Sequence, residues 1–168
     1  MKLPTAICLI LLSFIASCAT TITSVDTHAG DSLSAELFRL QPTAKIIGPV
    51  DDKYESFSLI EWKRWLSPTT KIYKKNAWDC DDIALEEMVL TRRYYATFGK
   101  TETTPAVGIA FVIIRKGFLG VNGGGSHALN IIHTKENGWM FYEPQTEQSK
   151  RVSDALTSHD VQMDSILF

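Results

Sequence analysis

The chain has 168 residues, of which 45% are hydrophobic and 21% charged, a composition typical of one globular domain. Lys and Arg total 17 against 19 Asp and Glu, a net charge of −2 with no basic stripe, so no nucleic-acid partner is expected. Only one stretch is long and apolar enough to enter a bilayer, which excludes a polytopic membrane protein.

The N-terminus has the pattern of a bacterial lipoprotein signal. Lys2 precedes a short apolar segment, and the small residues Ala16 and Ser17 stand directly before Cys18. This pattern resembles the lipobox, in which signal peptidase II cleaves and the cysteine becomes diacylated. An uncleaved anchor, or an ordinary signal cut after Ala19, is the alternative. The resemblance implies a lipoprotein anchored in a bacterial membrane by acyl chains such as palmitate on Cys18. Ala19 after the cysteine implies the periplasmic face of the outer membrane.

This signal divides the chain into three segments. Residues 1–17 are predicted to be the signal peptide, residues 18–34 the lipidated cysteine with a small, polar tether, and residues 35–168 a single domain. A lipid on Cys18 would leave Cys80 without a disulfide partner. A free thiol in an oxidising compartment is a liability unless it is buried or used, which first draws attention to Cys80.

The domain is predicted to contain helices first and strands afterwards. A capping box from Ser58 to Glu61 predicts a short helix that ends before Pro68. Gly117 to Gly125 is expected to be a mobile loop, serving as a lid or as a long turn. The C-terminal tail has no clear pattern beyond a short helix near 153–156. The predicted helices are 59–66 and 79 or 80 to about 98, and the predicted strands are 106–114, 127–133 and 139–143. This order predicts an α+β fold.

Three residues carry the candidate chemistry: Cys80, His127 and Glu143. A thiolate is the attacking form of cysteine, and the backbone N–H groups of a helix N-terminus stabilise it. A histidine on a neighbouring strand can take the thiol proton, and an acid beyond it can orient the imidazole ring. The sequence therefore predicts a Cys–His–Glu triad.

The segments around these residues resemble a papain-like or transglutaminase-like cysteine-protease core. They are WDCDDIA at 78–84, HALN at 127–130 and W…EPQ at 139–145. They are most similar to the papain-like C-terminal domain of the galactose-binding Marasmius mushroom agglutinin and its bacterial and phage relatives. The resemblance implies a papain-like fold in which N-terminal helices, with the nucleophile at a helix N-terminus, pack on an antiparallel β-sheet. It implies Cys80 as nucleophile, His127 as base and Glu143 as the residue that orients His127.

Two features leave parts of this triad open. Lys74 stands where papain has a glutamine that stabilises the oxyanion, so Lys74, Asn76 and Trp78 all remain candidates for that role. A three-residue turn at 136–138 would pair residue 135 with residue 139. Glu143 would then lie on the same face as His127 but about four residues away from it, which is too far for a hydrogen bond. A triad needs a wider loop that places residue 127 opposite residue 143.

Asp79, Asp81 and Asp82 flank the thiol. Their negative charges favour the protonated thiol, so they require an explanation. One is that they cap the helix and face solvent. The other is that Asp81 and Asp82 bind a divalent cation, and the resemblance to the calcium-dependent agglutinin domain implies calcium.

The combined prediction is a lipid-anchored cysteine hydrolase of the cell envelope that cleaves an amide or peptide bond. Its predicted substrate is a peptide or a peptidoglycan-like molecule, and the chemistry itself requires no cofactor. Two alternatives remain. One is a transglutaminase-type acyl transferase, and the other is a catalytically silent papain-like binding lipoprotein in which Cys80 is a buried structural thiol.

Overall fold

The computed structural model describes residues 26–47, 51, 53–66, 79–97 and 102–168. These residues form four helices and nine strands. The helices are α1 (Gly30–Leu40), α2 (Leu59–Trp65), α3 (Cys80–Thr97) and α4 (Val152–Thr157). The strands are β1 (Asp26–Ala29), β2 (Lys45–Ile47), β3 (Lys53–Ser56), β4 (Thr104–Pro105), β5 (Val107–Ile114), β6 (Gly125–Thr134), β7 (Gly138–Glu143), β8 (Gln148–Arg151) and β9 (Val161–Leu167).

The strands form two sheets. The larger has six strands in the order β2-β9-β5-β6-β7-β8, and the smaller has three in the order β1-β3-β4. The larger sheet is mixed, because β2 runs parallel to β9 while its other neighbouring strands are antiparallel. The smaller sheet is also mixed, with β1 antiparallel and β4 parallel to β3.

The predicted fold class, an α+β papain-like fold of N-terminal helices on an antiparallel sheet, is wrong. Strands dominate the described residues, and several of them lie in segments whose composition is too polar to predict a strand. The clearest case is β9, which lies inside the large sheet although the sequence pattern leaves it in an unassigned tail. Its exposed Gln162 and Asp164 make the segment polar, but they alternate with the buried Val161 and Met163.

Individual elements are confirmed where the pattern is strong. The predicted helices near 59–66 and 80–98 correspond to α2 and α3, and the predicted central strand and hairpin correspond to β5, β6 and β7. The capping box of α2 is present. The Ser58 hydroxyl accepts a hydrogen bond from the Glu61 backbone N–H, and the Glu61 carboxylate accepts one from the Ser58 backbone N–H.

The large sheet has a hydrophobic cluster on each face, which is why its central strands are apolar without interruption. Ala128 and Ile132 of β6 pack in the cluster that includes residues of α2 and α3. Leu129 and Ile131, the alternate residues of the same strand, pack in the other cluster together with Leu37 of α1. Helix α3 therefore rests on one face of β5 and β6, with its N-terminus near the beginning of β6.

The glycine-rich segment, predicted to be a lid or a long turn, contains a tight turn at residues 118–121. Phe118 and Val121 exchange two backbone hydrogen bonds of 2.9 Å. Leu119 and Gly120 between them both have positive φ, which is the backbone of a tight two-residue turn. The Thr146 hydroxyl donates to the Leu119 carbonyl at 2.7 Å and holds this turn against the chain that follows β7.

Several predictions fall on residues that the structure does not describe. The signal peptide at 1–17, Cys18, and the oxyanion candidates at 74, 76 and 78 lie outside the described ranges. Of the predicted tether at 18–34, residues 18–25 also lie outside, whereas residues from 26 onward form β1 and the beginning of α1. No helix within the described ranges has the length and apolar character needed to cross a membrane.

Candidate functional site

Cys80 is the first residue of α3 and is half-buried. The Ile83 backbone N–H donates to the Asp79 carbonyl at 3.1 Å, and the Asp82 carboxylate accepts a hydrogen bond from the Asp79 backbone N–H at 3.3 Å. Asp82 therefore reaches back to cap the helix, in the manner of the acidic partner of a capping box. The thiol lies at the positive end of the helix dipole, as the sequence predicts.

The thiol also contacts the backbone near the beginning of β6. The Ala128 backbone N–H donates to Cys80 Sγ at 3.4 Å. Since His127 precedes Ala128, this contact places the thiol next to the histidine. Helix α3 is further joined to β6 and β5 by Asn130, whose side-chain amide donates to the Ala84 carbonyl at 2.9 Å and to the Gly108 carbonyl at 3.4 Å. Asn130 thus has a structural role in seating α3.

His127 and Glu143 are directly hydrogen-bonded, with 2.5 Å between His127 Nε2 and Glu143 Oε2. The Glu143 side chain is 1% exposed, and its second oxygen accepts a hydrogen bond from the Gln145 backbone N–H at 3.0 Å. Both carboxylate oxygens are therefore occupied, which determines the orientation of the acid. The bond at Nε2 leaves Nδ1 of His127 as the ring nitrogen available to Cys80.

The strand register explains how these two residues meet. β6 pairs with β7 so that Thr134 faces Gly138 and Asn130 faces Tyr142. Continued by one residue, this register places Glu143 opposite residue 129, on the same face as His127 and two residues away along the strand. The offset lies between the two alternatives considered from the sequence. Diagonal neighbours of this kind are close enough for long side chains to touch.

The turn takes this register because it begins one residue earlier than predicted. Gly138 has positive φ and closes the turn opposite Thr134. The Thr134 hydroxyl donates to the Gly138 carbonyl and accepts from the Asn137 backbone N–H. The position of the glycine alone does not indicate that a threonine side chain will form hydrogen bonds with the backbone of the turn.

The electrostatics of the pair favour a thiolate and an imidazolium. Burial by itself raises the pKa of the Cys80 thiol, but the hydrogen bonds from His127 and the Ala128 N–H, together with the charge of His127, lower it below its usual range. Burial lowers the pKa of His127, yet its hydrogen bonds to Cys80 and Glu143 and the charge of Glu143 raise it to about 9. The shared hydrogen bond moves both pKa values in the direction that stabilises the ion pair.

The three acids beside the thiol do not act as one group: Asp79 and Asp81 converge, whereas Asp82 caps the helix. Side-chain ligand atoms of Asp79, Cys80 and Asp81 all lie within 4.8 Å of one another. A hydrogen bond that the protonated Asp79 carboxyl donates to Asp81, followed by burial and by the charges of Asp81 and Asp82, raises the pKa of Asp79. Asp82 is engaged by the backbone, so the convergent carboxylates are those of Asp79 and Asp81 rather than the predicted pair of Asp81 and Asp82.

A cleft of about 700 Å³ opens over Cys80 and His127. Among the lining residues that were not predicted as part of the site are Phe111, Ile113, Asp164 and Ser165. The first two belong to the predicted central strand, where apolar residues indicate only burial. The other two lie in β9, and the alternation of buried and exposed residues there is the signal that could have found them. The remaining lining residues are Asp81, Val112, Ser126 and Ala128.

His133, near the end of β6, is buried. Its Nδ1 is hydrogen-bonded to the Ser56 hydroxyl at 2.7 Å, and its Nε2 lies 3.7 Å from a Glu36 carboxylate oxygen. This group connects α1, β3 and β6 and does not line the cleft. His159 is exposed and also lies away from the cleft.

Comparison with known proteins identifies the fold through solved structures. No protein-family model matches the chain, and no curated protein matches its sequence. One solved structure, described as "PSL1a-E64 complex", is 20% identical with a TM-score of 0.65, and the match covers 84% of this chain and 51% of that chain. A second, Polyporus squamosus lectin bound to the human-type influenza-binding epitope Neu5Aca2-6Galb1-4GlcNAc, is 17% identical with a TM-score of 0.64, over 84% of this chain and 49% of the lectin.

This chain therefore spans about half the length of the solved structures that it matches, and the likeness establishes a shared fold. Of the predicted resemblance to the papain-like domain of a mushroom agglutinin, the comparisons support a fold shared with a fungal lectin, whereas no family model supports a papain-like protease core. The predicted cysteine hydrolase and the transglutaminase-type alternative are wrong: the finding against them is a fold shared with a lectin that is bound to a glycan, and no family model supports a protease.

Proposed function

We propose that this chain is a binding domain of the bacterial cell envelope and that its ligand site is the cleft over Cys80 and His127. The observation that carries the proposal is the cleft itself, since an open space of about 700 Å³ with apolar walls and a few converging polar groups is the usual form of a ligand site. The likeness to a lectin bound to a glycan supports a saccharide component in the ligand.

The ligand that best combines these features is a peptidoglycan-like molecule with both sugar and peptide parts. The lectin likeness supports the sugar part, and the apolar side chains of Phe111 and Ile113 that line the cleft are suited to contact the peptide part. Nucleic acid is not proposed as a partner, because the net charge is −2 and a phosphate backbone requires a basic surface.

Within this site we assign the reactive roles to Cys80, His127 and Glu143. Cys80 is the nucleophilic thiolate, His127 is the base that holds its proton, and Glu143 orients His127. A thiolate at the base of a binding cleft gives the site the capacity to form a covalent bond with an electrophilic group of a ligand. The E64 complex of one structural neighbour provides a probe for this capacity.

The proposed location rests on the N-terminal pattern that is predicted to be a lipoprotein signal. We propose that acyl chains on Cys18 anchor the domain in the outer membrane, facing the periplasm. A peptidoglycan-like ligand is abundant in that compartment, so the proposed location and the proposed ligand are consistent.

We also propose calcium as an ion that modulates the site, at the acidic group predicted from Asp81 and Asp82. The described donors that converge are the carboxylates of Asp79 and Asp81, with Asp82 next to them. Calcium takes six to eight oxygen ligands, so water or ligand oxygens would complete the shell. A bound cation there would offset the charge that Asp81 places beside the thiol.

The binding proposal is tested by titrating the full-length chain, in mild detergent, with disaccharide-peptides from digested peptidoglycan and following heat release. The isolated glycan epitope and the sugar-free peptide are titrated in parallel. We expect saturable binding of the disaccharide-peptide and protection of Cys80 from iodoacetamide by the bound ligand. If none of the three binds, or if the bound ligand leaves Cys80 labelling unchanged, the proposed site is wrong.

The reactive roles are tested by mass spectrometry of the tryptic peptide that contains Cys80. We expect E64 and iodoacetamide to modify Cys80 near neutral pH and His127→Ala to slow the modification. The thiolate fraction falls about tenfold for each unit by which the thiol pKa rises. His159→Asn is the matched control, because it removes an exposed histidine outside the cleft and asparagine tolerates the positive φ of that position. Equal labelling of all three proteins would exclude the thiolate–imidazolium pair.

A further inference from the structure

Within the part of the chain that the structure describes, the face of the large sheet that carries α3 is covered only in part. Every second residue of β5 shares this face, and their exposure increases along the strand. Ile109 is 2% exposed in the cluster with α3, Phe111 is half-buried, and Ile113 is 41% exposed. Helix α3 begins at Cys80, so the sheet beyond that residue is not covered by α3. An exposed isoleucine beside a reactive thiol provides an apolar floor for a ligand.

A bulge in β9 places a carboxylate at this floor. β5 pairs Phe111 with Ser165 and Val112 with Met163, which leaves Asp164 as an extra residue between two paired ones. Asp164 is exposed and lines the cleft, and its carboxylate accepts a hydrogen bond from the Ser165 hydroxyl at 3.2 Å. A bulge changes the direction of the side chain at the extra residue, and here that residue is Asp164, whose carboxylate lines the cleft.

The charges of the cleft are unbalanced. Its described lining includes the carboxylates of Asp81 and Asp164, and no Lys or Arg of the described residues contributes to it. Among the described lining residues the one basic group is His127, which lies between the Cys80 thiolate and the Glu143 carboxylate. The described lining is therefore negative on balance, which favours a cation over an anion.

We propose that the cleft selects ligands with an ammonium group on a short alkyl stem, and that Asp164 is the residue that receives the ammonium. The stem lies over Phe111 and Ile113, and the reacting part of the ligand lies at Cys80. This inference rests on the proposed ligand site and adds to it the charge of the ligand and the residue that recognises this charge.

The test uses thiol reagents of equal size and different charge on the full-length chain. The 2-ammonioethyl and 2-sulfonatoethyl esters of methanethiosulfonate each transfer their alkylthio group to a thiolate, forming a disulfide and releasing methanesulfinate. Their rates at Cys80 are followed by mass spectrometry in the presence of a chelator. Each rate is divided by the rate of the same reagent with a small free thiol, which removes the intrinsic difference between the reagents.

We expect the corrected ratio of cationic to anionic rates to exceed one in the natural chain and to fall about three- to tenfold in Asp164→Asn, since one charge a few ångströms away in a wet cleft has an effect of this size. Asp164→Glu should keep the ratio. Asp154→Asn, which removes one exposed acid outside the cleft, should also leave it unchanged.

The outcomes separate this inference from the proposed function. If neither reagent modifies Cys80 in the natural chain, both the reactive site and the inference are wrong. If both reagents modify it but the corrected ratio is one, or is the same in Asp164→Asn, the reactive site stands and the recognition of a cation by Asp164 is excluded. A ratio that falls equally in Asp154→Asn would attribute the effect to net charge and would also exclude the inference.

Discussion

Glu87 lies in the middle of α3 with its side chain fully buried, and it provides a sharp test of how burial controls ionisation in this domain. Neither of its carboxylate oxygens has a hydrogen-bond partner among the described residues. Burial, with a smaller contribution from the charge of Glu86, raises its pKa from 4.5 to about 7. A buried acid without a partner is more stable protonated than ionised.

The pH dependence follows from comparing the folded and unfolded states. In the unfolded chain this carboxyl loses its proton near pH 4.5, whereas in the folded chain it keeps the proton until about pH 7. The folded state is therefore favoured most below pH 4.5 and loses stability as the pH rises to 7. One pKa unit corresponds to about 1.4 kcal/mol, so the loss is about 3 kcal/mol once the pH is above 7.

The perturbation is Glu87→Gln, which keeps the size of the side chain and removes the ionisation. We compare the free energy of unfolding of the variant with that of the natural chain at each pH. We expect this difference to be up to about 3 kcal/mol more favourable to the variant at pH 8 than at pH 4.5. Any constant cost of burying the amide cancels when the two pH values are compared. Free energies of unfolding from urea titrations between pH 4.5 and pH 8 measure this difference.

Glu136→Gln is the matched control, because Glu136 is an exposed glutamate at the turn between β6 and β7. Its effect should be the same at every pH. The reasoning is refuted if the stability difference between Glu87→Gln and the natural chain is also independent of pH, since burial would then not be holding the carboxyl protonated.

Three further predictions concern the site and its supports. Glu143→Gln removes the charge that helps to raise the pKa of His127, so an NMR titration of that ring should give a value clearly below about 9; an unchanged value would show that the acid does not act on the ring. Calcium should raise the midpoint of thermal unfolding in the natural chain and have less effect on Asp81→Asn, and equal shifts in both would exclude this acid as a ligand. Ser58→Ala should cost about 1 kcal/mol of stability in urea unfolding through loss of the α2 cap, whereas Ser153→Ala, at an exposed residue of α4, should cost little. Equal losses would mean that the cap contributes nothing.

The central elements and the candidate residues could be predicted from the sequence because they depend on local rules. The capping box that begins α2, the helix that begins at Cys80 and the apolar strand β5 all follow from residue spacing and side-chain chemistry. Cys80 and His127 could be chosen as candidates because a thiol at a helix N-terminus and a histidine on a later strand are the residue types that this chemistry needs. Glu143 could be chosen as the candidate partner of His127 because it lies on the strand that follows, but the predicted turn placed it too far away.

Other features depend on contacts that no local rule contains. The register that joins His127 to Glu143 depends on the Thr134 hydroxyl inside the turn, and the cleft depends on where α3 begins relative to the far end of the sheet. β9 joins the sheet between β2 and β5 because its buried residues alternate with exposed polar ones, although the segment as a whole is polar. Asp164 reaches the cleft only because a bulge interrupts that pairing. A local pattern determines which residues can form a helix or a strand. Which side chains then meet in a site depends on how distant strands pair, because that pairing minimises the free energy of the whole chain.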